Sequence, residues 1–237
     1  MMSAMSRRTR WIIAVVALVL AVTVVGPFVY INFIKADPAD RLSLDDVTTT
    51  TAGDGSTTTS GDPATGIDGT WSTADGSVVQ YRIAEVLFGQ DAEATGAAEG
   101  VTGSVEISGT TVSAVDVEVD MTTFESPESQ RDGQFQGRIM ETAVFPTATF
   151  TLTAPIDLGS IPAEGEDITV EATGDLTMHG VTKSVTFDLV ARLTGSTFAA
   201  NATIPITFSE YDIDDPSGDP ASVGDEGELE VLLVFSR

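Results

Sequence analysis

Residues 168–208, ITVEATGDLTMHGVTKSVTFDLVARLTGSTFAANATIPITF, carry apolar side chains at every second position across three consecutive segments. A period of two places successive side chains on opposite faces of a β-strand, so each segment has one apolar and one polar face. The segments are separated by His179-Gly180 and Thr194-Gly195-Ser196, which are typical of tight hairpin turns. The stretch therefore predicts three long antiparallel strands that share one apolar face.

The same alternation recurs on both sides of this stretch. Five further segments show it: Val79 to Ile83, Val101 to Ile107, Val115 to Met121, Phe150 to Ala154 and Leu229 to Phe235. Eight strands, each with one apolar face, suit an all-β, eight-stranded antiparallel barrel, because closure removes the exposed sheet edges. A two-sheet sandwich needs comparable alternation and stays an alternative.

One segment between the strands has helical features. Ser126 is a suitable N-cap, Pro127 suits the first helical position, and Phe135 and Ile139 lie four residues apart on one face. We expect a short helix over residues 128–140 that covers one end of the barrel.

The start of the chain predicts a single N-terminal transmembrane helix. Residues 11–34 contain no charged side chain, and this run spans about 36 Å as a helix, enough for a hydrocarbon core of about 30 Å. Arg7, Arg8 and Arg10 precede it, which favours a cytoplasmic N-terminus and an extracytoplasmic remainder. The alternative is a cleaved signal peptide, whose apolar region is usually about 7–15 residues long.

These patterns divide the chain into four regions. Residues 1–10 are expected to be a cytoplasmic basic tail, 11–34 a membrane anchor, 35–66 a disordered linker rich in Thr, Gly and Asp, and 67–237 the barrel domain of the cell envelope. Little in the linker could be buried to offset the entropy lost on ordering it.

Composition excludes several classes of function. Residues 67–237 contain 30 acidic and six basic side chains, and such a surface repels nucleic acid. The absence of Cys removes disulfides and thiolate metal sites, and His179 is the single histidine. The acidic residues 211–226 do not match an EF-hand loop. We expect no enzyme activity, cofactor or metal site.

Two stretches resemble a known family. Arg131-Asp132-Gly133-Gln134-Phe135, leading to Phe145–Phe150, and Gly174–Val185 with Leu176-Thr177-Met178-His179-Gly180-Val181-Thr182 resemble the two motifs of the YceI-like family. The resemblance covers residues 67–237 and implies a lipocalin-like barrel that encloses a polyisoprenoid or a related amphiphile. Two positions depart from the pattern: Gly76 stands where many members have His, and Ser184 replaces a common Pro.

The combined expectation is a membrane-anchored protein that binds an apolar or amphiphilic lipid, namely an isoprenoid such as a polyprenyl chain or prenyl quinone, inside the barrel. The alternative is a structural or protein-interaction barrel with a filled interior, and both interpretations leave a homodimer open. The expected ligand-binding side chains lie on the apolar faces of the strands: Val117, Val119, Met121, Phe150, Leu152, Phe187, Leu189, Phe208, Leu233 and Phe235.

Overall fold

The N-terminal helix is separate from the sheet along most of its length, and only its C-terminal end reaches the barrel. The computed structural model describes residues 7–31, 35–50, 66–218 and 220–237. Helix α1 (Arg7–Leu20) continues through a π-helical segment (Ala21–Val25) into α2 (Gly26–Val29). By length and composition, Trp11–Val29 suffices to cross a membrane, and none of it is buried against protein. The last three residues of the predicted span, 32–34, lie outside the described residues.

Twelve strands form one antiparallel sheet in the described part of the chain. They are β1 (Gly69–Thr73), β2 (Val78–Leu87), β3 (Gln90–Ala98), β4 (Val101–Ser108), β5 (Thr111–Asp120), β6 (Thr147–Leu152), β7 (Ile156–Asp157), β8 (Asp167–Met178), β9 (Val181–Thr194), β10 (Thr197–Thr207), β11 (Ala221–Val223) and β12 (Glu226–Ser236).

These strands follow eight paths around a closed barrel. Strands β1 and β2 form one path, because both pair with β12. Strands β3 and β4 form the next path, because they pair with β2 and β1 in turn. Strands β6 and β7 both pair with β5, and β11 and β12 both pair with β2. Four of the eight paths are therefore interrupted strands. The remaining neighbours are consecutive in sequence, and the predicted eight-stranded barrel is confirmed.

The interruption between β1 and β2 lies at the seam where the barrel closes. Ser77 donates its hydroxyl to the Val234 carbonyl (3.2 Å) and accepts from the Val234 amide (3.0 Å). The Ala74 amide also donates to this carbonyl at 2.7 Å. The Ser77 hydroxyl therefore supplies the partner of the Val234 amide and a second donor to its carbonyl, so both buried groups stay satisfied.

Strand β3 is absent from the strands predicted by sequence. Its residues, QDAEATGAA, are rich in Ala and Gly, which are depleted in strands. Pairing with β2 over its whole length supplies the hydrogen bonds that local preference does not indicate.

The predicted helix begins two residues later than its capping signal indicates. Helix α4 (Ser129–Gln134) is the next helix after α3 (Asp45–Thr50). It has Glu128 as N-cap and continues as a π-helical turn, Phe135–Ile139. Ser126 instead bonds to Glu128 through its hydroxyl, and its amide donates to the Asp132 carboxylate at 2.8 Å. The serine thus shapes the approach to the helix.

The first part of the expected linker is ordered, in contrast to the prediction. Residues 35–47, here called the strap, lie along the outside of the barrel and end in α3 (Asp45–Thr50). Leu44 is buried in an apolar cluster with Ala199 and Leu232. The burial of this side chain offsets the entropy lost on ordering the strap. The prediction of a disordered linker included only that entropy cost. Residues 51–65 of the linker lie outside the described residues.

A buried carboxylate holds the strap in place. Glu230 accepts hydrogen bonds from Arg82 Nε (2.8 Å), Gln80 Nε2 (2.9 Å) and Arg41 Nη1 (2.8 Å), and only 2% of its side chain is exposed. The Leu42 amide also donates to it at 3.3 Å. Arg82 in turn donates to the Ala39 carbonyl at 2.7 Å. Charge pairing and backbone bonds from the strap therefore satisfy this group together.

The strap also covers the Asn-x-Thr sequon at Asn201. Its side-chain amide donates to the Leu42 and Val231 carbonyls, at 3.0 and 3.1 Å. The nitrogen that a glycan would modify is therefore engaged between the strap and β12.

Replacing Glu230 by Ala should destabilise the fold by about 3–5 kcal/mol, because it leaves the Arg82 charge buried without its main partner. Glu228→Ala is the matched control, since Glu228 also pairs with Arg41 Nη1 but both of these side chains are exposed, at 40% and 57%, and exposed pairs contribute about 0–1 kcal/mol. Denaturant unfolding of both variants measures the difference. Equal losses would show that Glu230 contributes no more than an exposed surface pair.

Candidate functional site

An apolar cavity of about 140 Å³ lies inside the barrel. Small side chains at Ala172, Ala191, Ala200 and Ala202 line it beside larger ones. Gly174 allows the ring of Phe150 to pack directly against β8, because a Cβ atom at this position would overlap that ring. Phe150 packs edge-on against Phe187 at a centroid distance of 5.5 Å. Alternation of small and large residues therefore leaves the interior partly unfilled.

All ten side chains expected to contact a ligand line one of two cavities. Nine line the interior cavity: Val117, Val119, Met121, Phe150, Leu152, Phe187, Leu189, Leu233 and Phe235. Phe208 lines a second cavity at one end of the barrel. Their contact with a ligand stays a prediction.

The second cavity, here called the mouth, has a volume of about 250 Å³. It opens where β2 turns into β3, and α4 and the loop before β11 border it. Its wall is mixed, with apolar side chains such as Ile83 and Ile139 beside Glu128 and Arg131. The two volumes together reach the lower end of the range of about 300–1,000 Å³ typical of small-molecule sites.

Four side chains form a neck between the mouth and the interior. Met121, Phe124, Met178 and Leu229 line both cavities. Methionine is unbranched and adapts its shape at low cost, so the neck can widen by rotamer changes without displacing a strand.

An aromatic cluster forms one wall of the mouth. The rings of Tyr81 and Phe135 stack at 5.3 Å, and Phe124 lies 5.0 Å from Phe135. Burial raises the pKa of Tyr81 to about 12, so the phenol keeps its proton at neutral pH. Gly96 faces the Tyr81 ring, and a Cβ atom there would lie 2.5 Å from it.

The charged groups of the mouth centre on Glu85. This buried carboxylate accepts from Lys35 Nζ at 2.7 Å and from Arg131 Nη2 at 3.3 Å, both at Oε1. Lys35 also donates to the Glu93 carbonyl at 2.8 Å. Both cations among the described mouth residues are therefore engaged by one carboxylate.

The acidic loop before β11 is held across the mouth by Arg138. Its guanidinium donates to the carbonyls of Asp215, Pro216 and Ser217 at 2.9 to 3.3 Å. Within the described residues, no group of three or more His, Cys, Asp or Glu side chains could hold a metal ion. The loop's backbone therefore borders the mouth beside the helical segment that carries Arg138.

Comparison with known proteins identifies the fold family. The model of the YceI-like domain matches residues 72–235, which is more than half of the chain. This chain belongs to the YceI-like family. Protein YceI of Escherichia coli is 37% identical over 82 residues, covering 34% of this chain and 38% of that relative. The alignment thus spans less than half of the curated relative.

Solved structures share the barrel at low sequence identity. A polyisoprenoid binding domain from Saccharophagus degradans, implicated in plant cell wall breakdown, has a TM-score of 0.58 at 17% identity, covering 70% of this chain and 97% of that domain. BcnA of Burkholderia cenocepacia has a TM-score of 0.53 at 21% identity, covering 67% and 95%. At these identities the likeness concerns the fold.

The two YceI-like motifs meet at the mouth end of the barrel. His179 opens the β8–β9 turn with a positive φ of 52°, and its ring contacts Phe145 at a centroid distance of 4.5 Å. Its ring nitrogens lie 3.2 Å from the Tyr211 carbonyl and 3.3 Å from the Glu141 carboxylate. The histidine thus joins three segments, in agreement with a turn residue whose conformation matters.

Sequence reasoning did not predict most of the residues that line the mouth. Lys35 falls in the expected linker, and Glu85 and Tyr81 belong to a strand for which the pattern indicates only an apolar inner face. Phe124 lies outside every predicted element. Arg131 was the residue of the mouth that the sequence could have indicated, because it is a positive charge within a family motif in a chain with few cations.

Replacing Leu189 by Trp should block the interior cavity, because an indole fills space beside Phe150 and Phe187. We expect loss of uptake of an apolar fluorescent probe and a destabilisation of about 1–3 kcal/mol from overpacking. Probe titration and thermal unfolding measure the two effects.

Thr186→Trp is the matched control, since Thr186 is exposed on the outer face of the same strand. It should leave probe uptake unchanged. Undiminished uptake by folded Leu189→Trp would contradict the assignment of the interior cavity as the site.

Proposed function

We propose that this protein is a membrane-anchored, extracytoplasmic binding protein for an apolar or amphiphilic lipid, namely an isoprenoid held inside the barrel. The observation that carries the proposal is the pair of adjoining cavities, one apolar and enclosed by strands, the other mixed and at the barrel end. An amphiphile has the same division into chain and head.

The interior suits a hydrocarbon chain because its lining offers almost no polar partner. Each CH₂ group transferred from water contributes about 0.8 kcal/mol. Branched apolar side chains and five phenylalanine rings give the irregular wall that a methyl-branched isoprenoid chain can fill. The polyisoprenoid binding domain with a similar fold supports the same ligand class.

The mouth suits an uncharged polar head. Lys35 and Arg131 already bond to Glu85, and Glu128 and Glu228 add negative charge to the wall. A phosphate would have to compete for these cations beside further carboxylates, at a cost in repulsion. A quinone ring or an alcohol needs only hydrogen-bond partners, so a prenyl quinone or polyprenol is favoured over a polyprenyl phosphate.

The N-terminal helix supports membrane anchoring. Its apolar length suffices for a span, and the preceding arginines favour a cytoplasmic N-terminus. In this arrangement the barrel remains beside the bilayer that contains its ligand. We propose no enzyme activity, because the features above serve binding and the single histidine is engaged in the β8–β9 turn.

The test measures bound lipid in the full-length chain without detergent. The protein is taken from its own membrane in polymer-bounded bilayer discs, and extracted prenyl lipids are quantified by mass spectrometry relative to phospholipid. We expect about one more prenyl lipid per protein in wild type and in Thr186→Trp than in Leu189→Trp, since one barrel holds one small ligand.

The difference between variants removes the contribution of lipid in the surrounding bilayer. An identified quinone or alcohol would establish the head-group class. Identical prenyl lipid content in all three proteins would sink the binding function and favour a barrel that acts through protein interactions.

A further inference from the structure

The turn between β2 and β3 carries an unusual residue. Phe88 and Gly89 occupy its two central positions with positive φ values of 53° and 78°, a geometry that favours Asn, Asp or Gly. Phenylalanine at such a position is strained, and its side chain is 46% exposed. Val86 beside it is 42% exposed. Neither the backbone conformation nor contact with water favours apolar side chains at this turn, which is here called the tip.

The membrane helix ends beside this tip. The ring of Tyr30 lies edge-on to Phe88 at a centroid distance of 6.1 Å. Trp11 and Tyr30 are separated along the helix by about 28 Å, close to the thickness of a hydrocarbon core of about 30 Å. Aromatic residues at the two ends of a span mark the membrane interfaces. Phe88 therefore lies at the depth of the outer headgroups.

The connection between helix and barrel is short and bonded. The Lys35 amide donates to the Tyr30 carbonyl at 2.7 Å, and the Lys35 ammonium is tied to Glu85 inside the mouth. The strap then runs along β3 and β2 through hydrogen bonds to Thr95, Arg82 and Gln80. The barrel cannot move away from the bilayer without breaking these contacts.

We propose that Tyr30, Val86 and Phe88 form a rim that rests in the outer headgroup layer of the bilayer spanned by residues 11–29, with the mouth opening onto that bilayer. The inference rests on the proposed function and adds the route: lipid passes from the membrane into the barrel without crossing water. The partner surface is this bilayer, because the helix that crosses it contacts the rim.

Charge explains why the rim needs the anchor and the strap. The chain has a formal net charge of −25, which repels anionic headgroups. Two apolar side chains alone would give weak, reversible contact. A covalent span with a bonded connection holds the rim at high effective concentration beside the membrane.

The test uses the absence of Cys from the natural chain. Full-length Phe88→Cys and Ile161→Cys are labelled with the same environment-sensitive fluorophore and reconstituted in phosphatidylcholine vesicles containing spin-labelled headgroups. Ile161 is a matched control, because it is 48% exposed and lies between β7 and β8 at the barrel end opposite the mouth.

We expect loss of most of the emission at position 88 and little loss at position 161. Lys35→Ala, introduced into the Phe88→Cys chain, should restore part of the emission because the connection to Glu85 is lost. Thermal unfolding of each labelled protein shows that the barrel is intact.

Two results would overturn the rim: no quenching at position 88, or equal quenching at both positions. A water-shielded but unquenched fluorophore at position 88 would indicate contact with a second protein molecule in place of the bilayer. The depth measurement needs no bound ligand. A barrel without prenyl lipid but with a quenched position 88 would refute the binding function alone, whereas a loaded barrel without quenching would refute the rim alone.

Discussion

The pairing of β12 with β1 and β2 joins the two ends of the barrel domain and closes the sheet into a ring. Closure removes free edges and directs one face of every strand inward. The number of strands then sets the diameter of the interior, and the size of the inward-facing side chains decides how much of it is filled. Because alanines stand among phenylalanines on the inner face, the closed sheet encloses an apolar cavity. The irregular segment before Ser77 is tolerated at the seam because the Ala74 amide and the Ser77 hydroxyl together satisfy the backbone groups of Val234.

The two barrel ends differ in chemistry. At the mouth, α4 and the acidic loop are drawn together by Arg138, and Glu85 collects two cations. The opposite end consists of turns such as those after β4 and β9. The division between apolar interior and polar mouth matches an amphiphile, and the strap relates this mouth to the membrane helix. The proposed binding and the proposed anchoring therefore involve neighbouring parts of one surface.

Sequence patterning predicted the inner faces well, because period-two alternation reports directly which side chains leave water. Residues such as Val117, Phe187 and Leu233 could be assigned to the interior without coordinates. The ordered strap could not be predicted, since Leu44 and Arg41 gain their partners only from strands far along the chain. Strand β3 escaped detection for a similar reason: its pairing with β2 overrides a composition that disfavours strands.

The sequence by itself determined the eight-stranded barrel, its apolar lining, the membrane-spanning length of the N-terminal helix and the family. Each is encoded locally, in alternation, in an uninterrupted apolar run or in a contiguous motif. Only the tertiary structure decided that the interior is partly open, that Lys35 and Arg131 meet at Glu85, and that Phe88 lies beside Tyr30. These features depend on the packing of distant segments, where side-chain volume and charge pairing act across the fold.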